Sequence, residues 1–420
     1  SNVGGYSETF NFSVYVTDED EDTVTVNFYM RKYDPSTDSW EAWQFIGQRS
    51  CSPCINKQLV VPVTTFDVND IGEWQFFANA TDDADYPLTG GVSYYNETSP
   101  VNFTVEKDDV RIEYVEGSGV EIWRNGTDSV LLSVRVYDID ASRYLGTAEA
   151  QVNIYITRDG STFYLVSTTA TQAGGFVNYT FDPDCPTYDV GIQYWKMGTA
   201  GNAGFKDVNS SVYNVTLKSY LSVNITSPNG EAYTQGSLVP IRAFVYDECN
   251  DGVAGTQNKI YLVTSGSSYL VTTGITDYNN GTYAYDWDSS AKTLGWYNLT
   301  WEAQKDYYVL ANETKVDAFY LGKPPELSNP YVDKTSGGWG ETWTFSVDCK
   351  DLEGDVDNVT LWIRKSPSDE WVSFGTKQCQ STTGITLTWQ VSFNCSWISD
   401  SASFKFNATC LLYTSDAADD

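Results

Sequence analysis

The segment GGYSETFNFSVYVTDEDED at residues 4–22 recurs as GGWGETWTFSVDCKDLEGD at residues 337–355, a constant offset of 333. A chain that repeats itself at this level folds as a string of like units, each with its own core. The correspondence continues through Phe28, Met30, Arg31 and Lys32, which fall on Leu361, Ile363, Arg364 and Lys365. After a small deletion Trp40 falls on Trp371 and Cys51 on Cys379, and FANAT ending at Thr81 falls on FNAT ending at Thr409. The middle of the chain holds a second pair: NIYITRDGSTFYLV at 153–166 aligns with KIYLVTSGSSYLVT at 259–272, and GGFVNYTFDPD at 174–184 with NGTYAYDWDSS at 280–290. The order is A, B, B, A. Short linkers, the last carrying KPPEL and NP where proline ends strands, set expected domains at 1–108, 109–219, 220–322 and 323–409. Linkers this short predict a stiff rod.

Within each unit, short segments alternate apolar and polar residues between turns rich in Gly, Asn, Asp and Pro. Phe10, Phe12, Val14 and Val16 face one way while Asn11, Ser13 and Tyr15 face the other. No window sustains a helical period. The spacing predicts an all-β chain, a tandem array of four immunoglobulin-like or fibronectin-III-like β-sandwich domains; a jelly roll is the alternative.

The charge excludes several functions. With 25 Lys and Arg against 56 Asp and Glu, the formal charge is −31, and a nucleic-acid partner would need the opposite sign. The 15% aromatic content separates the chain from disordered acidic sequences. Histidine is absent, which removes the commonest general base and the commonest transition-metal ligand together. No stretch approaches the roughly 18 apolar residues that span a bilayer, so direct membrane insertion of this segment is not expected.

Fifteen of the 26 Asn head N-x-S/T triplets: Asn11, Asn79, Asn96, Asn102, Asn125, Asn178, Asn209, Asn214, Asn224, Asn280, Asn298, Asn312, Asn358, Asn394 and Asn407. Chance would give about five. Alternating strands supply Thr freely, but Asn is depleted in strands, and here it stands in VNFTV, FNFSV, VNYTF and VNITS with its Thr or Ser on the same face. N-glycosylation accounts for both residues and implies export.

The chain opens at Ser1 without signal-peptide features, and its last eleven residues, 410–420 (CLLYTSDAADD), read like an in-frame translated sequencing adapter. Both features suggest a metagenomic fragment whose signal and anchor lie elsewhere, with the fourth domain lacking a last strand. Setting Cys410 aside leaves seven of the eight Cys. Export favours disulfides, and the expected pairs are Cys51–Cys54 and Cys379–Cys395, with no partner assignable to Cys185, Cys249 or Cys349. A zinc or redox reading of the CxxC is weak without a second CxxC, a His or a helix.

After the second strand of every domain the chain turns acidic: Asp18, Asp20 and Asp22; Asp138 and Asp140; Asp247 and Asp251; Asp351, Glu353 and Asp355. Hard oxygens at alternating positions suit calcium, although Asp also makes solvated turns through its own backbone hydrogen bonds. No other cofactor is expected. With so many carboxylates, some pair will sit at glycosidase distance by accident, and no repeat is marked as chemically special, so catalysis is not expected. Trp40, Trp43 and Trp371 sit near a strand–strand loop, as core aromatics or as sugar platforms.

Phrases such as VNITSPNG at 223–230 and GWYNLTWEAQKDYY at 295–308, with the sequon density and low Lys, resemble large archaeal cell-surface proteins built from repeated immunoglobulin-like domains. Bacterial exported repeat proteins are similar apart from the sequon density. The resemblance implies an extracellular, glycosylated stalk, surface-layer component or adhesin whose partners are other surface proteins or glycans. The alternative is a carbohydrate- or protein-binding array that spaces a surface enzyme.

Overall fold

The computed structural model describes residues 2–18, 23–82, 94–126, 128–352, 354 and 356–410. Residues 411–420 of the adapter-like tail lie outside that set. Every described element is a strand apart from two single-turn 3-10 helices, Val68–Asp70 and Cys395–Trp397. No described helix is long and apolar enough to cross a membrane. The chain divides into two compact units, Ser1–Lys218 and Ser219–Asp420.

In the first unit, strand Val24–Asp34 buries Val24, Val26 and Phe28 and half-exposes the residues between them, the pattern of a sheet with one face on a core. It pairs antiparallel with Gln44–Cys51 on one side and Gly72–Asp82 on the other, and Val101–Glu106 lies beside the latter. The opposing layer is the two-stranded pair Phe10–Val16 and Lys57–Val63. Between them Phe12, Leu59, Val61, Trp74, Phe103 and Val105 form one core. A second sandwich follows, with Val110–Glu116, Val130–Asp138 and Phe176–Phe181 facing Gln151–Thr157, Gly191–Thr199 and the 213–218 part of Tyr213–Ser227. Its core gathers Leu132, Val134, Ile154, Trp195 and Met197.

In the second unit, a third core lies between Leu238–Asp247 with Thr282–Asp288 and Gln257–Thr264 with Gly295–Gln304 and Ala311–Gly322. A fourth lies between Glu326–Val332, Thr342–Lys350 and Ile385–Ser392 on one side and Asp357–Arg364, Val372–Cys379 and Ser403–Cys410 on the other. In three sandwiches a short early strand pairs in parallel with a late one: Val3–Gly5 with Val101–Glu106, Val120–Trp123 with residues 215–218, and Glu231–Thr234 with Ala311–Gly322. These are tandem immunoglobulin-like sandwiches by topology as well as by layer.

Each core holds a buried Trp whose indole N–H is satisfied: Trp74 on the Asp70 carbonyl at 2.8 Å, Trp195 on the Gly117 carbonyl at 3.1 Å, Trp301 on Asn258 Oδ1 at 2.9 Å and Trp389 on the Gly375 carbonyl at 3.0 Å. A large aromatic can lie between sheets only if that one donor is paired.

The disulfides correct one expectation. Cys51 joins Cys54, but Cys379 joins Cys349 across the two sheets of the fourth sandwich, with Cα atoms 6.3 Å apart, and Cys395 is a free, exposed thiol. The reason is strand length. Cys349 stands opposite Ile385 in register, so Cys395, ten residues beyond it, has been carried to the far end of the sandwich at about 3.3 Å per strand residue.

Two outcomes follow for stability. Trp301→Ala should cost about 3–5 kcal/mol by chemical denaturation, whereas the surface substitution Trp296→Ala should cost less than about 1 kcal/mol. Replacing both Cys349 and Cys379 by Ala opens a loop of 30 residues and should lower the stability of the fourth sandwich by about 3–4 kcal/mol in the same assay.

Candidate functional site

The acidic turns differ in what their carboxylates meet. Asp18 is half-buried and its amide donates to the Cys54 carbonyl at 2.7 Å, while Asp20, Asp22, Glu353 and Asp355 lie outside the described residues. Asp351 and Asp357 are fully buried beside those last two positions. Asp247 serves its own turn: its Oδ1 accepts the amides of Cys249 at 2.9 Å and Asp251 at 3.2 Å. Ligand atoms of Asp247, Cys249 and Asp251 lie within 4.8 Å of one another, but Cys249 is disulfide-bonded and offers no thiolate. At this loop the turn reading describes the geometry.

Asp138 and Asp140 sit in a different environment. Strand Val130–Asp138 ends with Asp138 opposite Val110, next to the segment that leads from the first core into the second. That segment is pinned: the Asp108 amide donates to the Gly204 carbonyl at 2.9 Å, and the Lys206 amide donates to the Asp108 carbonyl at 3.0 Å. Asp108 is fully buried, and its Oδ1 accepts the Ser7 amide at 3.1 Å. Asp138 is also fully buried, and its Oδ1 accepts the Ala141 amide at 2.9 Å. The Oδ2 atoms of Asp108 and Asp138 are both buried without a hydrogen-bond partner. Asp140 Oδ2 accepts the Asp109 amide at 2.6 Å.

Residues 5–8 of the first sandwich close over this cluster. A Cβ added to Gly5 would stand 2.3 Å from Asp140 Oδ2 and 2.4 Å from Asp108 Oδ1, so those two oxygens crowd one backbone position. Burial holds Asp108 and Asp138 above the usual carboxylate range, with Asp138 and Glu8 adding to the effect at Asp108. Asp140 is pushed up to about 6 by burial and then by Glu8, Asp109 and Asp108. The phenol of Tyr6 is pushed up to about 12 by burial and by Asp108 and Asp138. Nearby cations are engaged: Arg143 with Glu149 at 2.8 Å, and Lys206 with Glu106 and Asp109 at 2.8 Å each. A carboxyl raised in the folded state opposes folding when ionised, so this penalty is present at neutral pH and is relieved as pH falls through about 6.

Asp108 and Glu8 were invisible to the loop-by-loop reading because neither belongs to an acidic turn. One is a linker residue and the other follows the first strand. The signal in the sequence was the doublet Asp108–Asp109 at the expected boundary.

The other candidate features have plainer settings. The Arg31 guanidinium lies 5.3 Å from the Trp40 ring and 4.2 Å from Trp43, and Arg364 and Lys405 lie 4.6 and 4.5 Å from Trp371. Each of these rings is thus engaged by at least one cation. A cleft of about 740 Å³ runs along residues 334–339 and 402–404, lined by Trp339, Trp343 and Phe404. All fifteen sequon Asn are exposed or half-buried.

No protein-family model matches the chain, and no curated protein matches it. Among solved structures, it is similar to a tetra-tandem repeat in the extending region of a large adhesion protein, at 14% identity and TM-score 0.42 over 97% of this chain and 96% of that one. It is also similar to the titin fragment I67–I69 at 9% identity and TM-score 0.34 over 76% of this chain and 94% of that one. A structure from a study of host cell surface retention of a 1.5-MDa bacterial ice-binding adhesin has 14% identity and TM-score 0.29 over 77% and 94%.

The tight approach at Gly5 sets an expected outcome. Gly5→Ala forces a methyl against two anchored carboxylate oxygens and should cost about 1–3 kcal/mol in thermal unfolding. Gly4→Ala meets the end of the Glu8 side chain and the edge of the Phe10 ring at 3.1 Å, both side chains that can shift, and should cost less than Gly5→Ala in the same assay.

Proposed function

We propose that the chain is a non-catalytic stalk segment of an exported, N-glycosylated cell-surface protein, with sandwiches at 1–108, 109–219, 220–322 and 323–409 in the order A, B, B, A. The observation that carries this reading is the set of fifteen sequon Asn, three times the number chance supplies, none of which is buried. Strand positions make the case specific. Asn102 is exposed between residues of a strand whose Phe103 and Val105 are buried, an arrangement that costs strand propensity and adds nothing to the core. Disulfides at Cys51–Cys54 and Cys349–Cys379 accord with an oxidising compartment.

Repetition of a core without a repeated chemical site is what a spacer requires, and a net charge of −31 keeps a crowded exterior soluble. Contacts with neighbouring surface proteins or glycans would use the outer strand faces, and an archaeal envelope fits the sequon density best.

Peptide mass spectrometry of the protein isolated from its source cells tests the reading. Glycan mass is expected on exposed Asn11, Asn102, Asn224 and Asn312, and not on Asn178, whose Nδ2 donates to Gln172 Oε1 at 3.2 Å. Unmodified Asn at every sequon would overturn the exported, glycosylated assignment.

A further inference from the structure

We propose that the aromatic cleft of the fourth sandwich accepts an extended strand donated by a separate polypeptide, apolar at alternate positions and carrying a ring the size of phenylalanine. The inference concerns one sandwich and holds whether or not the chain is glycosylated. Strand registers fix how the two A-type sandwiches correspond. Phe28 stands opposite Ala78 in the first, and its repeat counterpart Leu361 stands opposite Phe406 in the fourth, which sets Phe76 on Phe404 and Trp74 on Ala402. Phe66 and Phe393 correspond as well, since each directly precedes the capping residue of a single-turn helix.

In the first sandwich Gly72–Asp82 is paired on both edges, with Val24–Asp34 on one and Val101–Glu106 on the other, where Trp74 stands opposite Phe103. Val3–Gly5 runs parallel along the far side of Val101–Glu106. The Phe103 ring lies 5.6 Å from Phe10, 5.0 Å from Phe12, 6.3 Å from Phe66 and 6.2 Å from Trp74. In the fourth sandwich Ser403–Cys410 pairs with Asp357–Arg364, and among the described residues no strand pairs with its other edge. The counterparts of the four residues around Phe103 are Trp343, Phe345, Phe393 and Ala402, and all four line the cleft of about 740 Å³. Residues 336–338, the counterparts of Val3–Gly5, line it too. The cleft thus gathers the counterparts of the segments that flank Val101–Glu106 and of the rings that surround Phe103.

Exposure follows the same comparison. Trp74 is buried beneath its neighbours, whereas Ala402 is exposed and Trp339, on the same cleft, is 66% exposed. A strand edge bordered by exposed aromatic surface is what strand addition uses: backbone hydrogen bonds give affinity, and alternate side chains entering the cleft give specificity. Residues 411–420 end in TSDAADD, which has no aromatic or branched apolar residue to enter it. The donor reads instead like VNFTVE at 101–106, whose Phe103 and Val105 point to the core while Asn102 stays exposed. A strand of that pattern in a neighbouring surface protein would be held by this sandwich without any change to the other three.

The test is titration of the full chain with the synthetic peptide SPVNFTVEK, residues 99–107, followed by tryptophan fluorescence. Saturable binding is expected, with a blue shift as Trp339 and Trp343 lose water. The peptide carrying Phe103→Ala should bind about tenfold or more weakly, from the loss of one buried ring. Ala402→Asp, a change at an exposed position, should weaken binding of the unaltered peptide by a similar factor. No saturable binding by the wild-type chain, or equal affinity for the two peptides, overturns the proposal, as does an Ala402→Asp chain that binds like the wild type. If Ala402→Asp does not fold, hydrogen exchange of the wild-type chain decides: the peptide is expected to slow exchange at residues 336–338 and 402–404, and protection only elsewhere overturns the proposal. A wild-type dimer that the peptide splits into monomers would make a second copy the occupant and overturn the assignment to a separate partner.

Discussion

The structure depends on one constraint: every sheet must hide one face, and a strand can do that only by alternating its side chains. Val24, Val26 and Phe28 of the first sandwich and Val359, Leu361 and Ile363 of the fourth meet it in the same way, buried at every second position. A slip of one residue would turn these side chains to water and the intervening polar ones inward, so the burial requirement sets strand register throughout. The Trp at each centre adds a condition, because its N–H demands one acceptor at a definite place. Those acceptors are the carbonyls of Asp70, Gly117 and Gly375 and the Asn258 side chain.

At the contact between the first two sandwiches, close packing conceals unfavourable electrostatics. Hydrophobic cores of this size have no need of buried carboxylates, and two unpartnered oxygens lower the stability of the junction unless something neutralises them. Gly5 shows how closely the segments have been drawn together, since even a methyl group would collide with Asp108 and Asp140.

Much of this was legible in the amino-acid order. The A, B, B, A repeat, the alternating segments and the strand positions of Val24–Asp34 or Leu238–Asp247 follow from a period of two that local sequence displays directly. Asp138 and Asp140 were visible as members of a recurrent acidic turn. Asp108 and Glu8 were not, because a carboxylate's neighbours across a sandwich contact leave no trace in the spacing. The disulfide pairing failed for the same reason: Cys379 and Cys395 flank one apolar segment in sequence, yet that segment is a strand long enough to hold its ends apart, and Cys349 arrives beside Cys379 from the opposite sheet.

Sequence by itself determined the all-β class, the repeats and which face of each strand is apolar, since alternation is a property of neighbouring residues and needs no partner to be read. Tertiary structure alone decided which thiols meet, which acidic turns remain solvated and which lose their water. Those outcomes depend on what a second, distant segment brings within a few ångströms, and burial, which raises the proton affinity of an ordinary carboxylate, exists only after the sandwiches have folded and met.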